Sequence, residues 1–134
     1  EMSEAVGEDN IFIFGMRARE VDELWNRGYN SSEFYNNNVK LQKVVEALKA
    51  GFNGESFKSI ADYLLTSGRI ADPYMCMADF SDYQRERVKL ENAYADKLGW
   101  AEKSLINVAG AGRFSADRAI KEYCENIWNL EKIK

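Results

Sequence analysis

At 134 residues, 46% apolar and 30% charged, the chain has the composition of a globular protein and the length of one domain with one core. Its net charge of −4 gathers at the front, where Glu1, Glu4, Glu8 and Asp9 meet no cation before residue 11, while cations elsewhere alternate with acids; that pattern offers no basic stripe to a phosphate backbone and excludes nucleic acid as a partner. Histidine is absent, which removes the usual neutral-pH acid–base group and the commonest metal ligand, and no apolar run approaches the roughly 20 residues of a membrane span.

The chain opens on Glu1 with no initiator methionine, no basic leader, and only Cys76 and Cys124 as thiols, so the expectation is a piece of a larger protein in a reducing, cytoplasmic setting. Asn10-Ile11-Phe12-Ile13-Phe14-Gly15-Met16 is a short apolar run, rich in β-branched and aromatic residues, that ends in glycine. It suits a strand covered on both faces of a parallel sheet, and one strand is predicted at Ile11–Phe14. No second run matches it, so its sheet neighbours are expected upstream of Glu1. Ala18, Val21, Leu24 and Trp25 then recur at helical spacing up to Gly28, and strand, glycine and helix together make the second half of a βα unit.

Asn30-Ser31-Ser32-Glu33 offers several N-cap candidates for one helical turn reaching Tyr35, and Asn36-Asn37-Asn38 predicts a loop. Val39 to Ala50 reads as a helix with Leu41, Val44, Val45 and Leu48 on one side and Gly51 after it. Phe57, Ile60, Ala61, Leu64 and Leu65 predict a third helix between Gly54 and Gly68. Asp72-Pro73 turns the chain, Tyr74–Met77 reads as extended, and Ser81 is the expected cap of a long helix from Asp82 to Lys97 with Tyr83, Val88 and Tyr94 inward. A further helix runs from Trp100 through Ala109, stopped by Gly110 and Gly112. Ser115 caps the last one, whose apolar face is Ala119, Ile120, Tyr123, Cys124, Ile127 and Trp128. The predicted class is a mainly α fragment with one short β-strand, without an internal boundary across 1–134.

Each chemistry-bearing group has a structural reading that outweighs the functional one. Gly110-Ala111-Gly112-Arg113 before Ser115 resembles a phosphate cradle, but its glycines follow a helix where a P-loop follows a strand, and helix C-capping is preferred. Cys76 and Cys124 lie on apolar stretches and are assigned to core packing. Asp79 and Asp82 fall at the expected helix start, where acids complement the dipole, so capping is preferred to a catalytic pair. Trp25 and Trp128 read as core or interdomain residues, with Trp100 left open between burial and a sugar platform. Arg113, Arg118 and Lys121 form a solvated face or meet acids of a partner. No catalytic, cofactor-binding or metal-ligating residue is assigned.

Motif order then becomes specific. Glu1-Met2 and Gly7-Glu8-Asp9-Asn10-Ile11-Phe12-Ile13-Phe14-Gly15-Met16 are followed by Arg27-Gly28-Tyr29-Asn30, then Ala78-Asp79-Phe80 with Tyr83. The closing set is Trp100, Asn107, Ala109, Gly112-Arg113-Phe114-Ser115-Ala116-Asp117-Arg118, Ile120, Tyr123 and Ile127-Trp128. In one collinear order across the chain, these residues resemble the C-terminal segment of the glycogen, starch and maltodextrin phosphorylases. Gly110-Ala111 stands where that family commonly has Thr-Ser, Ala116 where it has a second serine, and Glu102 where it often has a base.

The resemblance implies a parent enzyme of two Rossmann-like domains, GT-B type, that cleaves α-1,4-glucan with inorganic phosphate to release glucose 1-phosphate. It implies pyridoxal 5′-phosphate on a lysine outside this segment and a homodimer formed through other regions. This chain would then be part of the second, cofactor-bearing domain, structural and inactive alone, with the remainder of the parent as its partner and no nucleic acid or membrane. The alternative is a stand-alone helical protein-interaction module that docks through its last helix.

Overall fold

Eight α-helices make up most of the described residues, 1–66 and 70–130, of this computed structural model, and most are delimited by groups that satisfy helix-end backbone atoms. Helix α1 is Met2–Val6, a single turn that the sequence pattern does not announce. Helix α2, Ala18–Asn26, opens where Glu20 accepts the Arg17 N–H at 2.7 Å and ends just before Gly28, whose φ of 85° needs glycine. Asn30 caps α3, Ser31–Asn36, and Asn38 caps α4, Val39–Ala50, its side-chain oxygen accepting the N–H groups of Lys40 and Leu41 at 3.0 Å each.

Between α4 and α5, Lys58–Leu65, the chain makes a two-residue turn at Asn53-Gly54. Phe52 and Glu55 exchange both backbone hydrogen bonds there, at 3.0 and 2.8 Å. Helix α6 is Cys76–Ala95. Helix α7, Lys97–Gly110, opens on Asp96, which accepts the Gly99 N–H. Ser115 caps α8, Ala116–Tyr123, as predicted, by accepting the Arg118 N–H, and a π-helical turn at Cys124–Trp128 ends in a left-handed Asn129.

Several expectations are corrected. Ile11 is extended (φ −139°, ψ 142°), but Ile11–Phe14 pairs with no other segment among the described residues, because a ladder needs a second extended run and the chain offers only the local bridge between Phe52 and Glu55. The predicted strand is therefore an unladdered run, extended at Ile11. Tyr74–Met77 is not extended either: Met75 takes a left-handed φ of 56°, and Cys76 and Met77 already belong to α6. That helix starts five residues ahead of the predicted cap Ser81, since another residue, Asp72, serves its first N–H groups. Tyr83, Val88 and Tyr94, expected inward, are 43%, 53% and 52% exposed, with too little packed against that stretch of α6 to cover them. Gly68, the expected stop after α5, lies outside the described residues.

The chain divides into two units, Phe14–Arg87 on the one hand and Glu1–Ile13 with Val88–Lys134 on the other. The core of the first is Leu41, Val45, Ala61 and Met77, where α4, α5 and the start of α6 meet, ringed by side chains such as Phe34, Leu48 and Phe80. Full burial of side chains like Leu41 and Val45 contributes about 1.5–3 kcal/mol each. In the other unit Val6 is buried, and Phe12 stacks on Trp100 with ring centroids 6.2 Å apart while Tyr94 meets that indole edge-on at 5.1 Å.

Candidate functional site

Two acids of α6, Asp79 and Asp82, face the end of the apolar run. Asp82 accepts the Gly15 N–H at 2.7 Å and the Arg85 guanidinium at 2.6 Å, and Asp79 accepts the Met16 N–H at 3.0 Å. Gly15 has φ 90°, and a Cβ there would lie 2.7 Å from an Asp79 carboxylate oxygen, so only glycine fits this clasp. These carboxylates are engaged with backbone and with a cation. The capping expectation is corrected: the backbone amides they accept belong to Gly15 and Met16, ahead of α2, and only Asp79 falls in the first turn of α6, whose own first N–H groups go to Asp72.

A second constellation was not singled out from the sequence. Asp72 is fully buried, in a left-handed conformation (φ 48°), and its carboxylate accepts three donors: the Tyr29 hydroxyl at 2.6 Å and the N–H groups of Cys76 and Met77 at 3.0 and 2.7 Å. The carboxylate thus starts α6 and ties it to the residues after α2. Burial first, then the hydrogen bond to Asp72 and its charge, pushes the Tyr29 phenol far above its ordinary range. Aspartate ahead of proline, four residues before an apolar helical stretch, is the signal from which this cap could have been read.

Cys76 is exposed at the start of α6, which corrects its assignment to core packing; Cys124 is partly buried, and both thiols are free. Partial burial and the neighbouring Asp72 charge push the Cys76 thiol up, away from the thiolate that nucleophilic or metal chemistry needs. Among the described residues no group of three or more Cys, Asp or Glu side chains could hold a metal ion.

The glycines of Gly110-Ala111-Gly112 form no anion cradle. Gly110 is the last residue of α7 with ordinary helical angles, so the C-capping reading is corrected too: a Cβ there would lie 2.8 Å from Val6, and the glycine permits α1 and α7 to approach. Arg118 pairs with Glu122 at 2.7 Å and donates to the Arg113 carbonyl, and Lys121 lies 3.8 Å from Glu125, an exposed face of ion pairs. Trp25 meets Tyr29 edge-on, and Trp128, 52% exposed, meets Tyr123. Trp100 borders a groove of about 440 Å³ with Phe12, Leu90, Lys103 and Asn107; Phe12 already stacks on the indole, so that face is no open platform for a sugar.

The described residues thus form a mainly helical body. The profile of the carbohydrate phosphorylase family matches residues 1–130, and the chain belongs to that family. It is similar to the glycogen phosphorylase of Synechocystis sp., at 39% identity over 99% of this chain and 16% of the relative. It is also similar to the human muscle form, at 38% identity over 98% of this chain, and to the rat brain form at 35%. The chain thus spans about 16% of the length of the relatives it matches. Among the described residues every lysine except Lys103 is exposed, and Lys103 donates to the Asp9 carbonyl in a mainly apolar groove without arginine or helix N-terminus to anchor a phosphate. These residues do not fit pyridoxal 5′-phosphate.

Proposed function

We propose that these residues are the C-terminal part of the second, cofactor-bearing Rossmann-like domain of an α-1,4-glucan phosphorylase of GT-B type. The parent uses inorganic phosphate on glycogen or maltodextrin, works in the cytoplasm as a homodimer, and carries its pyridoxal 5′-phosphate on residues outside this chain. This portion supplies no catalytic or cofactor-binding residue; it completes the sheet, with Ile11–Phe14 as a strand laddered to neighbours in the whole enzyme, and braces the domain. The observation that supports the reading best is a collinear match over nearly the entire chain to only 16% of each relative. Apolar residues left in solvent agree with it: Leu98, Leu105 and Val108 on α7 are 72%, 70% and 72% exposed.

Phosphorolysis is the test. Glycogen and phosphate incubated with this chain alone yield no glucose 1-phosphate, and co-expression with the preceding part of the enzyme yields it; product from the chain alone overturns the proposal.

A further inference from the structure

Asn53-Gly54 is the one place in the chain where asparagine precedes glycine. Asn53 and Gly54 are the two central residues of the turn, both left-handed (φ 50° and 82°) and both exposed at its tip. Among the described residues the Asn53 side chain has no hydrogen-bond partner and the Gly54 N–H has no acceptor, because the two bonds that close the turn belong to Phe52 and Glu55. No Cβ shields the Gly54 nitrogen, and a Cβ built there would meet nothing within 4 Å. Other asparagines lack one or more of these conditions: Asn10, Asn38 and Asn107 are held by hydrogen bonds, and each is followed by a residue with a branched side chain.

We infer that Asn53 is a site of spontaneous covalent modification, converting through a cyclic imide to aspartate and isoaspartate. The Gly54 backbone nitrogen, having given its proton to solvent hydroxide, attacks the carbonyl carbon of the Asn53 amide. The new C–N bond closes a five-membered ring, and the bond from that carbon to the amide nitrogen breaks as that nitrogen takes a proton from water, which releases ammonia and regenerates hydroxide. Water then adds to either ring carbonyl: opening at one regenerates an ordinary aspartyl linkage, and opening at the other leaves the backbone running through what had been the side-group carbon.

The second product matters to the fold. Gly51 sits so close to the turn that a Cβ on it would lie 2.3 Å from the Glu55 carbonyl oxygen, so the returning segment is pressed against the end of α4. An extra backbone carbon at position 53 breaks the register of the Phe52–Glu55 pair and frees the Phe52 ring from Phe57, 5.7 Å away between centroids. Both products add a negative charge beside Glu55.

The test ages the full chain in mildly alkaline buffer, digests it and maps isoaspartate by enzymatic methylation with a labelled methyl donor. Label and an acidic isoform accumulate in the peptide containing Asn53, several-fold faster than in any other asparagine-containing peptide. Asn53→Gly, which keeps the left-handed turn and removes the amide, abolishes both signals there. Absence of conversion at Asn53, or conversion at other asparagines at the same rate, overturns the inference. Site mapping on the unaltered protein decides this even if the variant folds poorly.

Discussion

Among single residues, Asp72 carries the most consequence. A fully buried carboxylate is tolerable only when its oxygens are satisfied, and here one phenol and two amides satisfy them. Tyr29→Phe removes the phenol donor and leaves a buried acceptor short, at a cost of about 1–3 kcal/mol measured by urea denaturation. The same pair predicts an alkaline limit. The unfolded phenol ionises near pH 10, whereas the folded one is held neutral well above that, so beyond about pH 10 the unfolded state loses a proton that the native state keeps. Stability contributed by Tyr29 is complete below that pH and declines as pH rises through it; Tyr29→Phe flattens the decline, which unfolding curves across the alkaline range would register.

For the elements, what decides their placing is which ends are served by neighbours in sequence and which by distant groups. Asn38 serves α4 from the adjacent position, and Asn38→Ala costs about 1 kcal/mol, read as a lowered denaturation midpoint, while Asn38→Asp is nearly neutral. Gly15 is served from α6, more than sixty positions away; Gly15→Ala meets both the unfavourable φ and the Asp79 carboxylate, and the expected loss is about 1–3 kcal/mol together with faster hydrogen exchange at the Met16 amide. This contrast explains what is legible in the sequence. Asn30, Ser115, Gly28 and Gly51 announce their helix ends locally, and α2 to α5 and α8 lie close to where spacing puts them. The start of α6 is misplaced by local reading because proline marks a break, while the fact that Asp72 bridges that break depends on Tyr29 and on a left-handed Met75, neither visible in a local window. Asp79 and Asp82 read locally as caps of their own helix, whereas the amides they hold belong to Gly15 and Met16 more than sixty positions away.

For the molecule as a whole, the dominant feature is apolar surface without cover. Ile13 and Phe14, 38% and 49% exposed, follow the extended Ile11 in a run with no ladder partner among the described residues, a template for pairing between copies. The chain alone is therefore expected to associate as concentration rises, by sedimentation velocity, and Ile13→Lys to lower that association by charging the edge. The uncovered face of α7 also shapes how variants would read out. Polar replacements at Leu98, Leu105 or Val108 remove contacts that this segment does not make by itself, so its melting curve would hardly register them. In the proposed parent the same replacements would surface as lost assembly. Tolerance scored on the isolated segment would thus mark as free to vary the very positions that its counterpart constrains.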